Sequence, residues 1–242
     1  MSASQKPSTA RPSSTSAPRT GTSANPSIPK PPLSIHPTAT ISEITYFQGK
    51  HPISIGAGTV VHPRAKLLSF EGPISIGEGC IIGEKSVIGG PQAAPSTSEY
   101  ASQASVTPSA PEVTIIENSV LLGPLATVSS GCHIHSAAVV DASALLGRRV
   151  RLGRHAKVCS LCQIPDDGVV EDWIVAWGGG AGGMGLQRRR RADGRGSKGD
   201  TASLNGRAVE NARLVVLNKE RETLTKLIGV GAAAAAAAPR RR

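Results

Sequence analysis

Branched aliphatic residues recur at every sixth position through the second half of the chain. The spacing is unbroken over ten repeats, and a small residue stands four positions after each of the first nine. An α-helix has a period of 3.6 residues and a strand a period of 2, so neither produces this repeat. A parallel β-helix built from hexapeptides does. The ten aliphatic residues are Ile116, Leu122, Val128, Ile134, Val140, Leu146, Leu152, Val158, Ile164 and Val170.

The hexads predict which residues stack on one another. Three hexads make one coil of about 18 residues, so residues 18 positions apart should lie in neighbouring coils, about 4.8 Å apart. Ile116, Ile134, Leu152 and Val170 then form one inward ladder, and the other six aliphatic residues form two more. The aromatic content of 2% agrees, because large rings would not stack in so narrow a core.

Shorter runs of the same pattern begin near residue 35 and bring the total to about six coils. Some glycines directly follow ladder residues, where we expect the chain to turn a corner and to need backbone freedom. These glycines are Gly123, Gly147 and Gly153.

The rest of the chain differs from the repeat in composition. We predict a disordered Ser/Thr/Pro-rich tail, the β-helix with one inserted loop, a flexible Gly/Arg-rich linker, a C-terminal capping helix that stops at Gly229, and an Ala/Arg tail. Their bounds are 1–32, 33–177 with the loop at 90–112, 178–207, 208–229 and 230–242.

The end of a β-helix exposes unpaired strand edges, which we expect to be covered. Two tryptophans close the repeat, and apolar residues recur on one face of the predicted helix. We call the three-walled body of the β-helix the prism. A cap over the end of the prism is favoured for these side chains over a ligand site. The expected cap consists of Trp173, Trp177, Leu217, Leu224 and Ile228.

The net charge of +10 is concentrated in the two ends of the chain. Residues 1–34 carry four basic and no acidic residues, residues 35–184 carry nine basic and 12 acidic, and residues 185–242 carry 14 basic and five acidic. The run Arg188–Arg191 could contact nucleic acid, but no aromatic residues are interleaved for base stacking. A solvated linker or a contact with an acidic partner is favoured, and nucleic-acid binding is kept as an alternative.

Neither a membrane span nor a secretion signal is expected, because no apolar run is long enough. Four cysteines in 242 residues do not suggest a disulfide framework, so a cytosolic protein is the default. Cys159 and Cys162 form a CxxC, but no second pair completes a zinc site and Cys162 occupies an inward slot. We therefore expect both cysteines to be structural.

Three histidines are candidates for chemistry. His133 and His135 flank the inward Ile134, so both should face outward on one wall, and His155 lies about one coil further on. Such a trio could bind a metal or supply a general base. Solvated surface histidines are favoured, because the sequence indicates no carboxylate or nucleophile around them. We expect no catalytic residue, no metal site and no cofactor.

Two segments resemble a known family. Ile53–Gly90, with VVHPRAK and EGPISIGEG, and the later CQIPDDGVVEDWIVAWGGG, which is followed by arginines and a helix, are similar to the dynactin subunit six family. The resemblance covers roughly residues 33–230, apart from the 90–112 loop. It implies a left-handed parallel β-helix, which spacing alone does not give.

The resemblance also implies a function without catalysis. Such a subunit belongs to the pointed-end complex of dynactin and supports dynein-driven microtubule transport and attachment to cargo such as endosomes. The implied partners are the sister hexapeptide subunit (subunit five), the pointed-end actin-related protein and other dynactin subunits. The implied location is the cytoplasm and cytoskeleton. A hexapeptide-repeat acyltransferase or a γ-carbonic-anhydrase-like enzyme remains the alternative, because hexads alone are shared with those enzymes.

Overall fold

A computed structural model describes residues 29–90, 111–179, 185–191 and 206–237, with side chains of the last segment described to residue 228. The predicted disordered tail (except residues 29–32), most of the 90–112 loop and residues 238–242 of the C-terminal tail therefore lie outside the described residues. The described chain contains a succession of short strands connected by turns, and one long helix follows them.

The early strands are β1 (Leu33–Ile35), β2 (Thr40–Ile41), β3 (Tyr46–Gly49), β4 (Ile53–Ile55), β5 (Val60–Val61), β6 (Lys66–Ser69), β7 (Ile74–Ile76), β8 (Ile81–Ile82) and β9 (Val87–Gly90). The later strands are β10 (Thr114–Ile116), β11 (Leu121–Leu122), β12 (Thr127–Val128), β13 (His133–Ile134), β14 (Val139–Val140), β15 (Leu145–Leu146), β16 (Arg151–Leu152), β17 (Lys157–Val158), β18 (Gln163–Ile164), β19 (Val169–Val170), β20 (Ile174–Trp177) and β21 (Gln187–Arg190). The helix is α1 (Gly206–Ala237).

Every third strand belongs to the same sheet, which is the connectivity of a β-helix. Sheet one has the order β1-β4-β7-β10-β13-β16-β19, sheet two β2-β5-β8-β11-β14-β17-β20-β21, and sheet three β18-β15-β12-β9-β6-β3. All neighbours are parallel except β20 and β21. The three walls enclose one core through about six coils, and the predicted fold class is confirmed.

The inward ladders have the register that the 18-residue coil predicts. Ile116 pairs with Ile134, Ile134 with Leu152, and Leu152 with Val170. The ladder residues of sheets two and three pair in the same way. All ten are at most 1% exposed, so their branched side chains fill the prism from three sides.

The corners between sheets use a left-handed backbone conformation. The residue three positions after each of the ten ladder residues has a positive φ, and nine of these ten residues are not glycine. The ten are Ser119, Leu125, Gly131, Ala137, Ser143, Arg149, His155, Leu161, Asp167 and Trp173.

The prediction that the three glycines after ladder residues supply backbone freedom at a corner is wrong. Gly123, Gly147 and Gly153 do not have a positive φ. A Cβ added at Gly123 would instead collide with the backbone of Asp141 and Ala142 in the next coil. Glycine is needed here because the stacked coils approach each other closely.

Helix α1 lies along the side of the prism and not over its end, which differs from the expected cap. It contacts β2 and β5 of sheet two. Near its start Glu210 reaches His155, and about three turns later Arg221 lies over Gly58 and Gly79. Eleven helical residues span about 16 Å, and the three to four coils between those contacts span about 14–19 Å. The helix therefore runs back towards the early coils.

The face of α1 that packs against the prism also differs from the apolar face that the sequence predicted. Leu217 is buried and Leu224 and Ile228 are half-buried, whereas three further apolar residues of the helix, Val209, Val216 and Leu227, are exposed. Charged residues belong to the face of α1 that contacts the prism. A prediction made from the apolar positions alone therefore gave the wrong face. The helix also continues past Gly229 to Ala237, because the alanine run has high helix propensity.

The arginine run forms a strand within the predicted flexible linker. Strand β21 pairs antiparallel with β20 and covers the last edge of sheet two, with Ile174 opposite Arg190 and Trp177 opposite Gln187. Of the two tryptophans expected in the cap, Trp177 is itself in β20, and Trp173 stacks on His155. In the described part of the chain, no helix combines the length and the hydropathy that a bilayer span requires.

Candidate functional site

Two histidines and a glutamate meet on the outer side of sheet one. Glu117 directly follows β10, and His135 directly follows β13 one coil later. His133 begins β13, two residues before His135, and the alternation of side chains about the inward Ile134 sends both histidines outward. Because Glu117 and His135 are 18 residues apart, the stacking of coils places them side by side.

The three side chains converge on one carboxylate oxygen. Glu117 Oε1 lies 3.1 Å from His133 Nε2 and 2.8 Å from His135 Nδ1. Each imidazole donates an N–H to it in the tautomer that satisfies these bonds. The two rings are 4.1 Å apart between centroids. The side chains of His133, His135 and Glu117 are 29%, 33% and 29% exposed, so the cluster is open to solvent.

Ser136 fixes the second oxygen of the same carboxylate. Its backbone N–H and its hydroxyl donate to Glu117 Oε2 at 3.0 and 2.6 Å. Burial acts to raise the pKa of Glu117, but the hydrogen bonds from Ser136, His133 and His135 outweigh it and lower the pKa to about 2. Glu117 is therefore a carboxylate at neutral pH, held in one orientation.

Glu117 is the site residue that sequence reasoning missed. His133 and His135 were candidates, but no carboxylate was assigned to them. The 18-residue coil that predicted the ladders also predicts this contact, since subtracting one coil from His135 gives Glu117. The third candidate, His155, does not join the cluster.

His155 instead belongs to a buried charged contact that docks α1. Its Nδ1 lies 3.0 Å from Oε1 of Glu210, which is 1% exposed. Arg213 Nε donates to the same oxygen at 2.7 Å, and Arg191 Nη2 lies 3.1 Å from Oε2. Arg213 also donates to the Ala137 carbonyl at 2.7 Å. The helix, the prism corner and the chain after β21 are joined at one carboxylate.

The pKa of Glu210 is lower than its ordinary value. Burial acts to raise it, but the hydrogen bonds from Arg213 and His155 and the charges of Arg213 and Arg191 outweigh this effect. Beside the contact lies a cleft of about 690 Å³, whose lining includes the charged residues Arg154 and Asp172 and the ring of Trp173.

Another ion-pair network brackets the insertion between β9 and β10. Arg148 Nη2 lies 3.0 Å from Glu71 and 3.1 Å from Glu112, and Arg149 reaches Glu112 at 3.1 Å and Asp167 at 2.7 Å. The Glu112 N–H also donates to the Glu71 carbonyl. The network joins the connection between β6 and β7, which contains Glu71, to the residues just before β10, which include Glu112.

The cysteines are free thiols, and three of them point into the core. Cys80, Cys132 and Cys162 are buried, whereas Cys159 is half-buried. Burial raises the pKa of each buried thiol to about 11. Metal binding and redox chemistry require a thiolate, which these surroundings disfavour.

These features define a class of protein: a hexapeptide-repeat β-helix with a docked C-terminal helix. The fold matches the solved structure of a Bacillus cereus protein provisionally assigned as an acetyltransferase, with a TM-score of 0.58 and 12% identity, over 81% of this chain and 92% of that one. At this identity the match shows the fold alone. No protein-family model matches the chain.

The sequence itself is similar to dynactin subunit 6. It is 33% identical to the Danio rerio protein over 129 residues, which cover 52% of this chain and 61% of that protein. It is 26% identical to the Xenopus tropicalis protein over 134 residues, which cover 53% and 60%. The resemblance inferred from the motifs is thereby confirmed. The chain spans about three fifths of the length of these relatives.

Proposed function

We propose that this chain is a non-catalytic subunit of the dynactin pointed-end complex and supports dynein-driven microtubule transport and attachment to cargo such as endosomes. The single observation that carries the proposal is the similarity to dynactin subunit 6 over about half of the chain. Its partners would be the sister hexapeptide subunit five, the pointed-end actin-related protein and other dynactin subunits. Its location would be the cytoplasm and cytoskeleton.

The first coil supports a docking role. Within the described residues, β1, β2 and β3 each pair on one side only, so they leave strand edges unpaired. Leu33, Ile35, Ile44 and Tyr46 are exposed around these edges. Unpaired edges with apolar side chains favour pairing with another sheet. We assign this surface, called the first-coil face, to the contact with the sister β-helix.

Affinity purification of the full chain from cells tests the function. The other pointed-end subunits should co-purify with the wild type, whereas recovery as a free homotrimer would overturn the proposal. The double variant Ile35→Arg, Ile44→Arg should lose the sister subunit, and the matched variant Leu125→Arg, Leu161→Arg, at exposed corners, should keep it. If the wild type recovers dynactin and both variants do so equally, the first-coil face is wrong and the function stands.

One contact favours a second candidate, an acyltransferase. The Glu117 carboxylate beside His135 could orient the imidazole as a general base. Calorimetry with acetyl-CoA tests this directly. Saturable binding, with turnover of an acceptor amine or hydroxyl that His135→Ala abolishes, would support the enzyme. Absence of acyl-CoA binding would remove it.

A further inference from the structure

We propose that Glu117, His133 and His135 form a binding site for a divalent transition-metal ion, with Zn²⁺ as the ligand tested. The proposal does not depend on the chain being a dynactin subunit. It also departs from the expectation, drawn from the sequence, that the histidines are ordinary surface residues.

The donor atoms already have the spacing that a metal requires. With metal–ligand bonds of 2.0–2.1 Å, two ligands of a tetrahedral Zn²⁺ are about 3.3 Å apart. Glu117 Oε1 lies 3.1 Å from His133 Nε2 and 2.8 Å from His135 Nδ1, and all three donor atoms lie within 4.8 Å of one another. Two of the three donor–donor distances are therefore close to the tetrahedral value, and rotation of these partly exposed imidazoles would adjust the third.

The chemistry of the donor set selects the type of ion. Imidazole nitrogen suits Zn²⁺, Cu²⁺, Ni²⁺ and Fe²⁺, and two histidines with one carboxylate are a donor set of open zinc sites. Calcium and magnesium prefer sites made of oxygen atoms. Three protein ligands on an exposed surface leave a fourth position for water.

The surroundings of Glu117 orient it as a ligand. Ser136 holds Oε2 with two hydrogen bonds, so Oε1 is turned towards both imidazoles. Hydrogen bonds that orient a metal-binding side chain typically increase metal affinity 10- to 100-fold. A bound ion would replace the two N–H donors at Oε1, and each neutral ring would carry its proton on the other nitrogen. Arg151 pairs with His133 in the next coil, so one positive charge lies near the site.

Calorimetry with ZnCl₂ on tag-free full chain tests the proposal. The wild type should bind one Zn²⁺ per chain, and Zn²⁺ should raise its melting temperature. Glu117→Gln and His135→Ala should each weaken binding at least tenfold. His36→Ala removes an exposed histidine from the first coil and should bind like the wild type. Circular dichroism establishes that each variant is folded.

A second measurement keeps the test independent of variant stability. Co²⁺ added to the wild type should give visible absorption bands of a four- or five-coordinate site, and Zn²⁺ should remove them. Absence of binding at 1 mM Zn²⁺, full binding by both cluster variants, or equal weakening by His36→Ala would each overturn the proposal.

Discussion

Glu117 Oε1 and His135 Nδ1 lie 2.8 Å apart, although 18 residues separate them in the chain. The distance follows from the coil, because residues one coil apart occupy the same place on neighbouring strands. The same rule places Leu152 between Ile134 and Val170 in the core. One repeat length therefore explains both a structural ladder and a polar cluster on the opposite side of the same wall.

The inward ladder predicts a large difference between two nearby substitutions. Leu152 is fully buried, so Leu152→Asp places an unpaired charge in an apolar prism and should cost several kcal/mol, comparable with the stability of a whole domain. Arg154 is exposed, and Arg154→Asp should cost less than about 0.5 kcal/mol. Thermal melts of both variants check this. The inward register would be wrong if Arg154→Asp were the more damaging.

Acid should loosen the docking of α1 through Glu210. The pKa of this carboxyl is lower in the folded protein than its ordinary value of 4.5. Its contribution to stability is therefore complete above about pH 4.5 and is lost as the pH falls through the folded pKa. Glu210→Gln should lower stability by about 2 kcal/mol at pH 7, because it removes the buried carboxylate that the partly buried Arg191 and Arg213 contact.

Urea unfolding at pH 7 and at lower pH measures this effect. Below about pH 4.5 the wild type should lose more stability than Glu210→Gln. The difference between their free energies of unfolding should therefore become smaller. Glu222, which is exposed on the same helix, provides the control, and Glu222→Gln should keep the response of the wild type. A constant gap at all pH values would contradict the role of Glu210.

An exposed left-handed residue offers a stabilising substitution. Leu161 has a φ of 61° and is 72% exposed, so it bears the cost of this conformation and gains little burial. Asparagine tolerates the left-handed region, so Leu161→Asn should add about 0.5–1 kcal/mol. Leu145→Asn, in strand β15, should bring no gain. Chemical denaturation measures the free energy of unfolding of both variants. A lower value for Leu161→Asn than for the wild type would refute the strain argument.

The thiols should differ sharply in reactivity. Cys80, Cys132 and Cys162 are fully buried, and burial raises the pKa of each to about 11, whereas Cys159 is half-buried. In the folded protein at pH 8, a thiol reagent should therefore modify Cys159 first, and all four after denaturation. Mass spectrometry of the labelled peptides identifies the sites. Equal rates for Cys159 and Cys162 would place Cys162 outside the core.

The candidate site was predictable in part. Strand alternation around Ile134 placed His133 and His135 on the outer side of one wall, and the coil length contains the position of Glu117. The carboxylate was missed because the 18-residue rule was applied only to apolar positions. His155 could not be assigned from the repeat, since its partner Glu210 comes from a helix 55 residues away.

The hexads specify the prism, because they are a regular local pattern and every coil repeats the same packing of branched and small side chains. The position of α1 and the pairing of the arginine run as strand β21 depend instead on long-range contacts made on folding. Those contacts join segments far apart in the chain through charged residues such as Glu210, Arg213 and Arg191, which follow no period. These residues pair because the folded protein buries them together, and no repeat in the sequence predicts which of them meet.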